Sequence, residues 1–278
     1  MKLSIITLIY NHLKYTKKFI ESLYKYTSDF ELIIVDNGST DETVEYLKSL
    51  NYDNLKIIFN TENLGFSKGN NQGIEIAQGE YIGFLNNDIL LYPNWFEECE
   101  KVFQKENAAF VSPRHINPHF DNTNENNYIE FFKKNFKYNS QYEKNFDECV
   151  FSCVLTKRSV INNIGIFDEN YSPAFFEDND IKYRAILKGY GIYVVNNICF
   201  YHFGSITSIN FDQKLEKNRQ FYYSKYPFAE YLSVSGRDRD TYKRIVEDFR
   251  RFPLKQIYNI YIIIRKIKNR LKKWSKHC

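Results

Sequence analysis

Runs of apolar residues alternate with amphipathic stretches through the first hundred positions. "KLSIITLIY" (2–10), "ELIIVD" (31–36), "LKIIF" (55–59) and "EYIGFLN" (80–86) are near-continuous apolar runs. Runs of that length and composition predict strands buried on both faces. Between them, residues 12–27 carry Leu13, Phe19, Ile20 and Leu23 at helical spacing. "NGSTDETVEYLKSL" reads as a turn feeding a helix, with Ser39 and Glu42 at capping-box spacing. "NLGFSKGNNQGIEIAQG" reads as a glycine-rich loop feeding a helix that stops at Gly79. Strand and helix in alternation predict a parallel sheet covered by helices.

Beyond residue 93 the pattern loosens. A helix over 94–106 and a short strand over 108–112 lead into a polar, Asn-rich stretch, 115–148, which reads as one long irregular segment. "CVFSCVLTK" (149–157) and "GIYVVNNICFYHF" (191–203) read as strands. Between them "FFEDNDIKYRAILKGYG" reads as a helix with Glu177, Asp178 and Asp180 in its first turn. Residues 210–226 and 238–251 are helical in pattern. In the tail, Ile257, Ile260, Ile264, Ile267, Leu271 and Trp274 fall on one stripe.

Charge sharpens the division. The net charge is +4, yet residues 253–278 hold eight Lys/Arg and no acid, which leaves 30 basic against 34 acidic residues elsewhere. A basic amphipathic tail suits an anionic membrane surface. Its 3-4 spacing also suits packing on the body or pairing with a second tail as a homodimer. No apolar stretch reaches the 18 or more residues of a membrane span. The five cysteines are odd in number and form no CxxC pair. They read as reduced thiols, which with the absence of a visible signal peptide predicts a cytoplasmic protein, peripheral at the inner face of the cell membrane.

Candidate chemistry gathers where strands end. In an open α/β sheet, ligands bind beyond the carboxyl ends of the parallel strands. Tyr10-Asn11 follows the first strand, Asp36-Asn37-Gly38 the second and Asn86-Asn87-Asp88 the fourth. All three clusters therefore open onto one crevice. Each has a plainer alternative. Asp36-Asn37-Gly38 can be a turn, Tyr10 a core ring, Asn86-Asn87 a strand cap, and the acids at 177–180 a complement to a helix N-terminus. His202 can be a satisfied strand histidine. His115 and His119 straddle Pro118, so they do not make a helical metal pair.

Taken in order, "VDNGSTDET", "NLGFSKGNNQG", "GEYIGFLNND", "FFEDNDIKYRAILKGYG" and "FYHFGS" resemble the inverting family-2 glycosyltransferases of the GT-A fold. The resemblance covers roughly residues 1–205. It implies a Rossmann-like mixed, mostly parallel sheet covered by helices. A nucleotide-sugar half would span 1–113 and an acceptor half 114–205, with 206–278 a C-terminal helical extension. It also implies transfer of a sugar from a UDP- or dTDP-linked donor to a hydroxyl of a glycan or lipid-linked glycan, with no nucleic acid involved. Tyr10, Asp36, Asn63, Asn86 and Asp88 would meet the donor, with Asp88 and His202 holding Mn²⁺ or Mg²⁺. Asp178 would be the general base, with Glu177 on the acceptor side. An imidazole ligand favours Mn²⁺. Leu8-Ile9, Asn70 and Asn86 depart from the family's usual residues; Asn86-Asn87-Asp88 is similar to rhamnosyltransferase-like members. Two other classes stay open: a sugar nucleotidyltransferase, although "YNHLKY" lacks a glycine-rich loop, and a glycan-binding relative without turnover.

Overall fold

The computed structural model describes residues 2–117, 123–204 and 212–226. His119, Cys278, the helix expected over 238–251 and the tail 253–278 lie outside the described residues.

The expected strands form β1 (Leu3–Ile9), β2 (Phe30–Asp36), β3 (Leu55–Phe59) and β4 (Tyr81–Leu85). Helices α1 (Leu13–Tyr26), α2 (Thr43–Ser49) and α3 (Gly65–Ile76) alternate with them. A two-residue β5 (Ile89–Leu90) precedes α4 (Trp95–Lys105). There follow β6 (Ala108–Ile116), α5 (Tyr128–Asn135), β7 (Tyr142–Lys144), β8 (Cys153–Lys157) and α6 (Arg158–Ile164). The last described elements are α7 (Glu177–Leu187), β9 (Gly191–His202) and α8 (Asp212–Lys225).

One sheet runs in the order β3-β2-β1-β4-β8-β6-β9-β5, with β7 also on β9. The first four strands are mutually parallel. β8 is antiparallel to β4 and β6, whereas β6 and β9 are parallel. The sheet is thus mixed and mostly parallel, flanked by helices, as expected. Burial on both faces explains the unbroken apolar runs: every residue of β2 and β4 is buried. Ile5, Ile9, Leu32 and Ile34 pack with Phe19 and Leu23 of α1 and Trp95 of α4 in one cluster. Phe84 meets Phe167 at 5.0 Å between centroids, and Phe110 meets Phe151 at 5.1 Å. Compactness divides the chain into Met1–Asn218 and Arg219–Cys278, so the first unit takes in the opening turns of α8.

Three local expectations are corrected. The capping box does not form: α2 starts at Thr43 and its cap position, Glu42, makes no side-chain cap bond. Ser39 Oγ instead accepts from Asn11 N at 2.7 Å, and Asn11 Oδ1 accepts from Thr40 N at 2.7 Å. The loops after β1 and β2 bind each other rather than capping the helix. Second, the stretch 115–148 is not one irregular segment. β6 runs on to Ile116, and α5 and β7 lie within it. Tyr128 and Phe132, four apart, are buried in the core, and the Tyr128 hydroxyl donates to Leu91 O at 2.5 Å. Two helical anchors outweigh the polar residues around them. Third, residues 149–152 lie outside β8, and three of them line a cleft.

Candidate active site

The strand registers bring the carboxyl ends of β1, β2 and β4 to one edge. Ile9 lies opposite Asp36, and Asn37 N donates to Ile9 O at 2.7 Å. There a cleft of about 560 Å³ opens, lined by Tyr10, Asn37, Asn63, Asn86, Asn87, Asp88, Glu177 and Asp178 among others. Six of these were named from the sequence as site residues: Tyr10, Asn63, Asn86, Asp88, Glu177 and Asp178. Tyr10 is 37% exposed, so it is not a core ring. Asp36 does not line the cleft. It is 1% exposed, with Oδ2 accepting from Ser39 N at 3.2 Å and Oδ1 buried without a hydrogen bond.

Amide side chains fix the loops of this wall. Asn37 Nδ2 donates to Gly65 O at 3.3 Å, and Asn37 Oδ1 accepts from Asn60 Nδ2 at 2.9 Å. Asn60 and Gln72 exchange two further bonds, at 2.9 and 3.0 Å. Asn63 Oδ1 accepts from Gly65 N at 2.9 Å. Asn87 is committed to the fold, donating to Thr16 Oγ1 at 2.9 Å. Asn70, on α3, donates back to Phe66 O and holds the helix start.

Asp88 sits where β5 meets β9. Ile89 pairs with His202, and Phe203 N donates to Asp88 O at 3.0 Å. This brings His202 Nε2 within 3.1 Å of Asp88 Oδ1. The contact lacks hydrogen-bond geometry, so the buried Nε2 has no hydrogen-bond partner. A carboxylate oxygen beside an uncommitted imidazole nitrogen is a donor set that fits a divalent ion. Among the described residues no group of three or more His, Cys, Asp or Glu converges to hold a metal. Among the described residues, Asp88 and His202 would be the ligands. His115, coupled in the sequence to His119, lies 5.3 Å from the His202 ring because β6 and β9 run side by side. Burial, and next the charge of His202, pull its pKa down to about 4 against the opposing pull of Asp88.

On the opposite wall, Glu177 and Asp178 open α7. Glu177 is 6% exposed, and Oε2 is buried without a hydrogen bond. Burial and then the Asp178 charge hold its pKa well above the usual carboxylate range. Asp178 is partly exposed, with Lys182 Nζ at 3.8 Å. Lys182 is anchored by Phe146 O and Cys149 O, at 3.1 and 3.2 Å. Asp180 is structural, accepting from Arg184 Nε at 2.8 Å and from the Tyr171 hydroxyl at 3.3 Å.

The segment leading into α7 is pinned from two sides. Phe175 and Phe176 both have positive φ, 80° and 72°, a costly conformation for bulky residues. Asn218 Nδ2 donates to Ala174 O at 2.8 Å and to Phe175 O at 3.3 Å. Phe66 N donates to Pro173 O at 2.7 Å. Gly65 permits that approach: its φ is +82°, and an added Cβ would lie 2.7 Å from Pro173 O. Gly65, Leu215, Asn218 and the 150–152 wall were not picked out from the sequence. For Gly65 the signal was present, in a Gly two residues after Asn63; for Asn218 nothing local marked it.

The family model described as Glycosyl transferase family 2 matches residues 4–165. An uncharacterized glycosyltransferase of Rickettsia bellii (strain RML369-C) is 29% identical over 176 residues, covering 62% of this chain and 24% of that protein. The chain thus spans about a quarter of the length of such curated relatives. Among solved structures, S. aureus TarS 1-349 in complex with UDP-GlcNAc matches with a TM-score of 0.60 at 19% identity, over 81% of this chain and 66% of that one. The mannosyltransferase PcManGT from Pyrobaculum calidifontis, in complex with GDP-Man and Mn²⁺, matches with a TM-score of 0.60 at 16% identity, over 88% and 68%. At such identities these two show the shared fold.

Proposed function

The chain belongs to glycosyl transferase family 2, and from that membership we propose that it transfers a sugar, with inversion, from a UDP- or dTDP-linked donor to a hydroxyl of a glycan or lipid-linked glycan. The observation that carries this reading is one cleft that brings Tyr10, Asn63, Asn86 and Asp88 from three strand ends opposite Asp178. Tyr10, Asn63 and Asn86 offer a ring and two amides to the base and ribose. Asp36 does not line the cleft, and its Oδ1, buried without a hydrogen bond, would accept a base N–H only once the covering loop opens. Leaving such an oxygen unsatisfied costs about 1–3 kcal/mol, which supports a ligand donor there. Uracil and thymine both carry an imide N–H.

Asp88 and His202 would hold a divalent cation, Mn²⁺ in preference to Mg²⁺ because of the imidazole. When bound, it offsets the negative charge that builds on the departing nucleoside diphosphate. Asp178 accepts the acceptor's hydroxyl proton as that oxygen bonds to the anomeric carbon and the bond to the diphosphate oxygen breaks. Glu177, whose pKa is raised by burial and then by the Asp178 charge, stands beside it on the acceptor side. The domain division near residue 205, cytoplasmic placement and membrane contact through 253–278 belong to the same reading. The test is incubation of the full chain with a panel of UDP-, dTDP- and GDP-sugars plus Mn²⁺, following release of free nucleotide. Release from a UDP- or dTDP-sugar is expected. Release from none, with no nucleotide binding by calorimetry, sinks the proposal.

A further inference from the structure

A second cleft, of about 340 Å³, shares no lining residue with the first. It lies at the small end of the ~300–1,000 Å³ usual for ligand sites. Tyr92, Phe132, Phe136 and Tyr138 wall it, and Asn139 and Gln141 stand at its rim. Three of the rings are nearly parallel. Phe132 and Phe136 lie 5.4 Å apart at 20°, and Phe136 and Tyr138 lie 6.3 Å apart at 21°.

The rim is built from beneath. The pairing of β6 with β9 jumps from Pro113–Val195 to Arg114–Cys199, so Asn196 falls in a bulge. Bulges re-aim side chains. Here Asn196 N donates to Gln141 O at 2.7 Å, and Asn196 Nδ2 donates to Ser140 O and Oγ at 3.1 and 3.2 Å. Arg114 Nε and Nη2 both donate to Asn196 Oδ1, at 2.9 and 2.6 Å. The Arg114 guanidinium also lies 4.6 Å from the Tyr138 ring centre. Arg114 is 6% exposed and Asn196 3%. A buried polar network of this kind rigidifies what it holds. What it holds is a loop with Tyr138, Asn139 and Gln141 turned outward. Tyr92, 8% exposed, also lines the cleft.

We propose that this cleft binds a neutral pyranose chain and serves as a distal subsite for the acceptor, an inference that rests on the glycan-acceptor reading above. A pyranose has a C–H face and a rim of hydroxyls. The C–H face suits the negative face of an ordered aromatic ring. The hydroxyls suit amides, which both donate and accept. Lys133 is the one charged residue among those lining the cleft, so an ionic ligand gains little there. The placement suits a polymer. Asn197 lines this cleft, and His202, against Asp88, lies five residues on along the same strand. That is roughly 17 Å at a strand's rise, a span for a chain of several sugars rather than one.

The experiment places the full chain on an array of neutral oligosaccharides of graded length (glucans, mannans, chitin and rhamnan fragments), with uronate glycans and peptides as separate arms. Retention of a neutral class is expected, rising with length. Tyr138→Ala should weaken it by about tenfold, and Gln141→Ala should weaken it in the same direction. Release of nucleotide from the donor should stay unchanged in both variants, which also shows that they fold. The inference is overturned if no neutral glycan is retained, if retention ignores Tyr138→Ala, or if only uronates or peptides are held. Glycan retention without donor turnover would leave this cleft standing and remove the proposed reaction. Donor turnover without retention would do the reverse.

Discussion

Gly65→Ala tests how the two walls of the donor cleft are held together. At φ +82° an alanine pays the left-handed penalty of an L residue, about 1–2 kcal/mol. Its Cβ would also stand 2.7 Å from Pro173 O and 3.1 Å from Pro173 Cα. Both are backbone atoms and cannot rotate aside, so the segment 173–176 must move away. That movement breaks the bond from Phe66 N to Pro173 O, 2.7 Å long, between half-buried residues, and losing such a bond costs about 0.5–1.5 kcal/mol. The total is about 2.5 kcal/mol, or roughly 5–10 °C in Tm for a domain of this size. Because Asp178 lies two residues beyond the displaced segment, turnover should fall more than donor affinity does. The control is Gly69→Ala, whose Cβ would meet the end of the Leu8 side chain at 2.8 Å inside a helix. There the helix gains about 1 kcal/mol from alanine, and the leucine can shift, so the net change should stay within about 1 kcal/mol. Thermal melts and nucleotide release on both variants decide it. A Gly65→Ala protein that melts and turns over like the parent, or one no worse than Gly69→Ala, refutes the reasoning.

Asp178→Asn should lower transfer by ~10²–10⁴, the usual worth of a general base, while calorimetry shows donor binding retained; full activity would remove Asp178 from the reaction. His202→Ala and Asp88→Asn should each weaken Mn²⁺ binding, read by the paramagnetic relaxation of water protons with and without nucleotide, and equal relaxation in all three proteins would exclude the pair as ligands. Glu177→Gln should change how stability depends on pH. The folded-state pKa of Glu177 is raised by burial and then by the Asp178 charge, against a lowering pull from Lys182. Its stabilising contribution is therefore full below the ordinary value of 4.5 and is lost as pH rises above it. The Tm of the glutamine variant should gain on the parent as pH rises above 4.5, and parallel curves would contradict this. Truncation before Pro253 should abolish binding to vesicles containing anionic lipid and spare nucleotide binding; vesicle binding that persists would rule out the tail as the contact.

The parallel half of the fold is readable because burial on both faces makes each strand a near-continuous apolar run. Glu31 and Asp36 are the polar residues of β2, and β4 reads YIGFL. The three strand-end clusters followed from that, and Tyr10 and Asp88 do line one cleft. What escaped notice depends on contacts between distant positions. Asn218 reaches Ala174 across 44 residues, and no local pattern encodes it. The α5 helix was hidden because it is only eight residues long and lies between polar, Asn-rich stretches. Asp36 was placed correctly on its strand, but the loop bonds of Ser39 and Asn11 that bury it are tertiary. His115 was read against His119, its neighbour in sequence, when its neighbour in space is set by the pairing of β6 with β9.

The position of β8 has a consequence for synthesis. It is the strand that joins β4 to β6, yet both of those precede it in the chain. On the ribosome, β1 to β4 can pair as soon as they emerge. The outer edge of β4 then stays open until residues 86–152 have been made, about 3–13 s at ~5–20 residues per second. An open, wholly apolar edge is a template for pairing with another nascent chain. Chaperone demand should therefore peak in that interval and end when residue 157 clears the exit tunnel.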